Sequence, residues 1–296
     1  MKEIRLVWNL TNKCPFRCSF CAASANSKEE MVEKRKILDS ILSASSQNIF
    51  IDFSGGDPLF CEDLLELIKL AVSIIGKEKI SISSTCLSLE KLTDNELINL
   101  CNNYELTYDF PIKYGHLDKR DIRYNKLNYK QAQRIKRLSL NLNIFVTLQA
   151  FDDEIIEELA FDLWKLSPDS ISIIRLMPLG YLNIKQKGNY DEIGIYNKLK
   201  NRLREKGYKN SIKPTCAFRA LLKEEHACNM ISEKYGIDHL GNFFTCIWAS
   251  DLSLPDNPFY LGNLIDSNLR DLIKTNYKVK NAKKCSVCEY LKNNIK

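Results

Sequence analysis

Runs of apolar, β-branched and aromatic residues alternate with segments of helical periodicity over about the first 206 residues. We predict strands at 4–10, 48–53, 79–84, 104–110, 142–148 and 170–176. We predict helices at 27–43, 62–75, 89–102, 129–140, 152–166 and 191–206. This alternation predicts βαβ units and a parallel sheet, with a ligand site at the carboxyl ends of the strands. The periodicity fits an incomplete barrel as well as a doubly wound sheet.

The composition is that of a soluble globular protein. The 296 residues are 45% hydrophobic and 27% charged, which leaves room for one large α/β domain and a smaller unit. The longest apolar runs are too short to span a bilayer, and the first residues indicate a strand and not a signal peptide. We therefore expect a cytoplasmic protein without a membrane partner. The net charge of +6 is modest, and the lysine-rich stretch 274–284 lacks stacking aromatics, so we expect no nucleic-acid partner.

Three of the eleven cysteines lie within eight residues, directly after the first strand. Cys14, Cys18 and Cys21 have the spacing C-x3-C-x2-C. Without a secretory signal a disulfide framework is not expected, and close thiolates suit a soft metal centre. Three ligands are one short of the four that a closed zinc or cubane site requires. The spacing therefore predicts a metal centre with one open position.

The pattern changes after about residue 211, and we predict two domains, 1–210 and 211–296. The second begins with a short helix-like piece between Cys216 and Cys228. We predict a hairpin at 237–248 with its turn at Gly241-Asn242, a loop at 257–263 and a partial helix at 264–277. Isolated cysteines elsewhere are interpreted as small buried hydrophobic residues.

The N-terminal motif, with the aromatic Phe20 before its last cysteine, resembles that of the radical S-adenosylmethionine (SAM) superfamily. The resemblance implies that Cys14, Cys18 and Cys21 ligate a [4Fe–4S] cluster whose fourth iron binds SAM. It also implies that Phe20 lies at the cofactor, and that SAM cleavage gives a 5′-deoxyadenosyl radical. The alternatives are a zinc site or chance clustering. Zinc is disfavoured because no fourth ligand and no histidine lie nearby in sequence.

The turn after the second strand supports the same resemblance. Gly55-Gly56-Asp57-Pro58 resembles the family's Gly-Gly-Glu-Pro element, which implies that its backbone binds the methionyl amino group of SAM. Glycines allow a close backbone approach. Asp57 in place of glutamate departs from the family pattern, although a backbone role does not depend on that side chain.

Two further residues resemble cofactor contacts at strand ends. Asp109 follows the fourth strand, where relatives place a ribose-binding polar residue; alternatively it is a turn or cap acid. Arg175 ends the sixth strand in a segment that resembles a SAM-lining one; alternatively it pairs with an acid at the edge of the core. Cys86 stands where relatives carry Asn and is either a hydrogen donor or a filler residue. Of the histidines, His116 is the one we expect nearest to substrate.

The C-terminal segment resembles the auxiliary-cluster modules called SPASM and, when shortened, twitch domains. Gly241-x4-Cys246, the run Leu261–Leu264 and the pair Cys285-x2-Cys288 carry the likeness. The resemblance implies a second, fully ligated [4Fe–4S] cluster, held by Cys228, Cys246, Cys285 and Cys288. The alternatives are tetrahedral zinc in the same module, or Cys216 replacing Cys228.

Together these features predict an α/β fold, a partial (β/α)6 TIM-like barrel with a small C-terminal auxiliary-cluster domain. The resemblance implies a radical SAM oxidoreductase, of dehydrogenase or dehydratase type, acting on a small molecule such as a carbohydrate, aminocyclitol or nucleoside. The implied electron donor is a flavodoxin or ferredoxin. The alternative is a peptide maturase that oxidises, cross-links or epimerises a ribosomal precursor peptide. A third class, an iron–sulfur scaffold or sensor, is disfavoured by the intact SAM-binding turn.

Overall fold

The computed structural model describes residues 3–26, 32–45, 48–85, 87–109, 126–182, 188–224, 234–250, 252, 257–279, 287–288 and 290. The strands are β1 (Glu3–Thr11), β2 (Asn48–Gly55), β3 (Ile80–Ser84), β4 (Glu105–Asp109), β5 (Asn143–Leu148), β6 (Ser170–Arg175), β7 (Ser211–Pro214), β8 (Lys234–Ile237), β9 (Asn242–Phe244) and β10 (Tyr260–Asn263). The α-helices are α1 (Lys34–Leu42), α2 (Leu64–Ile75), α3 (Asp94–Asn103), α4 (Lys126–Arg137), α5 (Asp153–Leu166), α6 (Glu192–Glu205), α7 (Cys216–Leu221) and α8 (Leu269–Val279).

Backbone contacts group the chain into two compact units. The first comprises Met1–Arg17, Cys21–Ser83 and Asn229–Lys296. Its strands follow the order β10-β9-β8-β1-β2-β3. β1 pairs in parallel with both β2 and β8, and β2 pairs in parallel with β3. β9 is antiparallel to β8 and to β10. The N-terminal and C-terminal parts of the chain therefore share one sheet.

The second unit comprises Cys18–Phe20 and Ser84–Cys228. Its strands follow the order β4-β5-β6-β7, and every pairing is parallel. Here α5 is capped by Asp152, whose carboxylate accepts a hydrogen bond from the amide of Ile155 at 2.9 Å. Such a cap satisfies one of the unpaired amides at the start of a helix. The α/β class and the mostly parallel strands are as the sequence predicted.

One face of the sheet in the first unit is largely apolar. Leu6, Trp8 and Leu10 of β1 are fully buried, and the rings of Trp8 and Phe53 lie 5.7 Å apart. Phe53 pairs with Ile82 across β2 and β3, so this face is continuous over three strands. Complete burial of each such side chain stabilises the fold by about 2 kcal/mol.

Four elements differ clearly from the prediction. The helix expected at 89–102 begins only at Asp94, because Thr93 and Glu96 form a reciprocal capping box; a 3-10 turn, Leu87–Lys91, precedes it. The helix expected at 27–43 begins at Lys34, with residues 27–31 outside the described part. β10 occupies the stretch expected to be a loop, and β7 was not predicted.

A hairpin is present as β8 and β9, but it begins three residues earlier than expected, and its turn is Asp238–Gly241 and not Gly241-Asn242. Its turn is built by Asp238, whose carboxylate accepts hydrogen bonds from the amides of Leu240 and Asn242, both at 2.9 Å. Gly241 has a φ of +84°, which only glycine adopts readily. Because β8 joins β1, the observed units do not follow the predicted division at residue 210, and that domain boundary stays a prediction.

Candidate active site

The loop that follows β1 carries the first three cysteines. The Cys14 amide donates to the carbonyl oxygen of Asn26 at 2.7 Å, and the Asn26 amide donates to that of Asn12 at 2.9 Å. These bonds close the two ends of the loop against each other. Within the loop, Cys14 and Cys18 are 8% and 9% exposed, so their thiols are largely shielded from water.

Cys21 receives a backbone hydrogen bond of the kind found around iron–sulfur ligands. The amide of Ala25 donates to its Sγ at 3.4 Å, which favours the thiolate form. Phe20 beside it is 8% exposed. None of the eight described cysteines forms a disulfide. Within the described residues, no three His, Cys, Asp or Glu side chains are grouped closely enough to hold a metal ion. The donor set therefore has the right chemistry, while its assembly around a cluster stays a prediction.

The glycine turn after β2 is hydrogen-bonded to this loop. The Gly56 amide donates to the carbonyl oxygen of Thr11 at 2.7 Å, and the Asp57 amide donates to that of Lys13 at 2.9 Å. A Cβ on Gly55 would lie 2.5 Å from the Thr11 oxygen, and Gly55 has a φ of +128°. A Cβ on Gly56 would meet the Lys13 carbonyl. Both glycines are therefore required by the fit of the turn against the cysteine loop.

Asp57 is completely buried and stabilises the turn. Its carboxylate accepts from the amide of Leu59 at 3.2 Å, at the start of the 3-10 helix Pro58–Phe60. This contact gives a local reason for aspartate: its short side chain reaches the amide two residues ahead.

A polar group that the sequence analysis missed lies in the middle of β2. Asp52 lies deep in the protein yet remains partly exposed, and its Oδ1 accepts from the hydroxyls of Ser81 and Ser83 at 3.0 and 3.1 Å. Burial raises the pKa of this carboxyl above its ordinary value, against the lowering effects of Ser81, Lys234, Ser83 and Arg5. The signal in the sequence was one acid within the run Ile49–Phe53, which the apolar pattern concealed.

The sequence profile described as the Radical SAM superfamily matches residues 8–173, more than half of the chain. The chain belongs to the radical SAM superfamily. Membership implies SAM and a [4Fe–4S] cluster as cofactors. A search of curated protein sequences finds no match.

Solved structures share the fold of this radical SAM chain at low sequence identity. Streptococcus suis SuiB bound to S-adenosylmethionine aligns with a TM-score of 0.68 and 18% identity, over 92% of this chain and 65% of SuiB. SuiB bound to the precursor peptide SuiA gives 0.67 and 17%, over 92% and 64%. Native anSMEcpe with bound AdoMet gives 0.64 and 17%, over 94% and 82%. The radical SAM chain thus spans less than two thirds of SuiB. No helix among its described residues is long and apolar enough to cross a membrane.

Arg175 forms an ion pair with Glu192, which belongs to the same unit. Its Nε and Nη2 donate to the two carboxylate oxygens of Glu192 at 2.8 and 3.3 Å. Arg175 shares its strand face with Ile171 and Ile173, which are fully buried. The alternative derived from the sequence, pairing with an acid at the edge of the core, is what the structure has. A contact between Arg175 and SAM stays a prediction.

The remaining predicted site residues are only partly described. Asp109 is the last residue of β4, and its side chain lies outside the described part, as do Cys86, His116, Cys228 and Cys285. Cys246 is 5% exposed and precedes the 3-10 helix Ile247–Ala249. Cys288 is partly exposed. The structure therefore leaves the auxiliary-cluster ligand set a prediction.

Proposed function

We propose that this radical SAM enzyme binds its SAM-cleaving [4Fe–4S] cluster through Cys14, Cys18 and Cys21, and SAM along the turn Gly55–Asp57. The carrying observation is the pair of hydrogen bonds from Gly56 and Asp57 to the backbone at Thr11 and Lys13. These bonds hold the turn beside the first cysteine. When bound, the reduced cluster would supply one electron that cleaves SAM into methionine and a 5′-deoxyadenosyl radical, which would abstract hydrogen from substrate.

The protein's own groups have distinct parts in this proposal. The backbone of Gly55 and Gly56 faces the methionyl amino group, and the buried carboxylate of Asp57 keeps the turn in place through Leu59. Phe20 shields the loop from water, and Asp109 binds the ribose. Arg175, whose ion pair with Glu192 orders the end of β6, contacts SAM at that strand end.

The substrate we propose is a polar small molecule, such as a carbohydrate, aminocyclitol or nucleoside, which the enzyme oxidises or dehydrates. The supporting observation is the row of hydrogen-bonding side chains opposite the apolar face of the first unit, including Asn9, Asp52 and Ser83. Such a surface suits a ligand rich in hydroxyl groups better than an apolar one. A flavodoxin or ferredoxin supplies the reducing electron.

A precursor peptide is the second candidate substrate. Its support is the shared fold with SuiB, whose structure holds the precursor peptide SuiA, and with anSMEcpe, which has been solved with bound peptides. In this candidate the same radical chemistry modifies a side chain of the peptide.

We also propose a second [4Fe–4S] cluster in a twitch-like segment, ligated by Cys228, Cys246, Cys285 and Cys288. Its support is the hairpin β8–β9, which ends two residues before the buried Cys246. The side chain of Asn263 donates to Asn242 at 2.9 Å and fixes β10 against that hairpin. This cluster would accept an electron from substrate or bind it directly.

The deciding experiment is anaerobic reconstitution with iron and sulfide, followed by reduction in the presence of SAM. The wild type should release 5′-deoxyadenosine and methionine, while a Cys14→Ala, Cys18→Ala, Cys21→Ala triple variant should release neither. A wild type that carries iron at these thiols yet leaves SAM intact would refute the proposal. The two substrate classes are then distinguished by supplying either a deuterated polyol or a deuterated precursor peptide. The substrate belongs to the class whose deuterium is transferred into 5′-deoxyadenosine.

A further inference from the structure

The polar face of the sheet in the first unit has a definite order. Across the strands, Gly236 of β8 is level with Val7 of β1, Val7 with Asp52 of β2, and Asp52 with Ser81 of β3. Residues paired in this way in a parallel sheet direct their side chains to the same face. Two positions further along each strand come Asn9, Ser54 and Ser83. The hydrogen-bonding groups therefore continue toward the carboxyl ends of the strands.

The same face is bordered by the segment that begins with Cys246. A Cβ on Gly236 would collide with the backbone of Ile247 and Cys246. That Cβ would point to the face of the sheet on which Asp52 lies. The 3-10 helix Ile247–Ala249 therefore lies over the same face, above β8, which is two strands from β2 and Asp52. The glycine is required by this approach of backbone to sheet. Asp52 and Cys246 therefore border one region of the first unit.

The carboxylate of Asp52 can accept more hydrogen bonds than the described residues donate to it. Its Oδ1 accepts two serine hydroxyls, whereas Oδ2 has a single long contact of 3.5 Å with the Ser83 hydroxyl. A carboxylate offers about four lone-pair sites, and a buried one is costly unless its acceptors are used. Lys234 and Arg5 act on Asp52 electrostatically, but neither forms a recorded ion pair with it among the described residues. A ligand hydroxyl would complete its hydrogen bonding.

We propose that Asp52 is a specificity-determining residue, whose Oδ2 accepts a hydrogen bond from a hydroxyl group of the substrate. The proposal rests on the proposed radical SAM function and names the chemistry of the group recognised there. That group belongs either to a polyhydroxylated small molecule or to a seryl or threonyl side chain of a peptide. Ser81 and Ser83 are positioning residues, because they hold Oδ1 and thereby direct Oδ2 to the ligand.

The test uses the reconstituted holoenzyme with SAM bound and two matched pairs of probes. myo-Inositol is compared with its hexa-O-methyl ether, which has no hydroxyl group, and the tripeptide Gly-Ser-Gly with Gly-Ala-Gly, by ligand-observed NMR titration. The wild type should bind one hydroxylated probe at least about tenfold more tightly than its partner, as expected for a hydrogen bond to a carboxylate. Preference for inositol identifies a small molecule, and preference for the seryl peptide identifies a peptide.

Substitutions of Asp52 show whether this residue causes the preference for the hydroxylated probe. Asp52→Ala should abolish the preference, and Asp52→Asn, which keeps an acceptor for the serines, should reduce it several-fold if the alanine variant does not fold. Asp39→Asn, on the outer helix α1, should keep it. The inference is overturned if the wild type shows no preference for either hydroxylated probe, or if both Asp52 variants retain it. Failure of the wild type to cleave SAM would instead refute the proposed function, so the two failures are distinguishable.

Discussion

The amide of Gly56 donates a hydrogen bond of 2.7 Å to the carbonyl oxygen of Thr11, which joins the turn after β2 to the strand that leads into the cysteine loop. Gly55, one residue earlier, would place a Cβ 2.5 Å from that same oxygen. The glycine turn after β2 and the cysteine loop after β1 are therefore one hydrogen-bonded structure, and disturbing one should disturb the other.

Gly55→Ala should impair both iron loading and SAM binding. The substitution adds a backbone collision to the cost of a side chain at positive φ, which is on the order of 1–3 kcal/mol. Iron content after reconstitution and equilibrium binding of SAM are the measurements. Gly207→Ala is the matched control, since Gly207 also has positive φ (+87°) but no atom within 4 Å of its Cβ position. Equal effects of the two variants would show that the close approach to Thr11 is unimportant.

Removing either partner of the Arg175–Glu192 ion pair should destabilise the second unit. The side chains are 22% and 9% exposed, and leaving one charge of a largely buried pair without its partner costs about 3 kcal/mol. We expect Arg175→Gln and Glu192→Gln each to lower the free energy of unfolding, and the double variant to lose less than their sum. Urea denaturation measures all three. If Arg175 instead acts chiefly on SAM, Arg175→Gln will weaken SAM binding while Glu192→Gln leaves it unchanged.

The stability of the protein should depend on the protonation of Asp52. Burial raises the pKa of this carboxyl above its ordinary 3.8, so the folded chain binds the proton more tightly than the unfolded chain. The free energy of unfolding, relative to Asp52→Asn, should therefore be highest below about pH 4 and fall as the pH rises toward the folded pKa. Ser81→Ala removes a hydrogen bond that lowers this pKa and should extend the fall to higher pH. Urea denaturation between about pH 4 and 8 measures the difference in free energy of unfolding between the wild type and Asp52→Asn. If this difference increases with pH, the pKa of Asp52 is not raised in the folded protein.

The iron content of cysteine variants should distinguish the cysteines of the N-terminal loop from those of the C-terminal segment. The wild type should carry the iron of two clusters, and Cys246→Ala with Cys288→Ala should carry that of one while still cleaving SAM. The Cys14, Cys18 and Cys21 triple variant should also carry the iron of one cluster but cleave none. Zinc in the C-terminal segment of the wild type would exclude the auxiliary cluster and leave the first site intact.

The sequence located the elements with strong apolar patterns and missed those without them. β1, β2, β5 and β6 lie where the apolar runs placed them, whereas β7 is a four-residue strand ending in Pro214 and β10 contains Gly262. Neither has the length or the β-branched content that marks a strand. Both form because a neighbouring strand offers hydrogen bonds, which is a tertiary effect.

The candidate site also has features that the sequence indicates and features that it conceals. The cysteine spacing and the glycine turn were visible because they are contiguous in sequence, while the partners of Asp52 lie 29 and 31 residues away on β3. The glycines were attributed to approach toward a ligand, yet the described structure shows them accommodating the backbone at Thr11 and Lys13. Pairings of this kind depend on strand register, which composition and periodicity do not contain.

The parallel pairing of Arg5–Trp8 in β1 with Lys234–Ile237 in β8 has a consequence for biosynthesis. During translation β1 leaves the ribosome more than two hundred residues before its partner. Until β8 arrives, β1 presents an unprotected edge whose amides and carbonyls invite pairing with other nascent chains. Chaperone demand should therefore be greatest late in synthesis, and fragments that end before β8 should precipitate where the whole chain remains in solution.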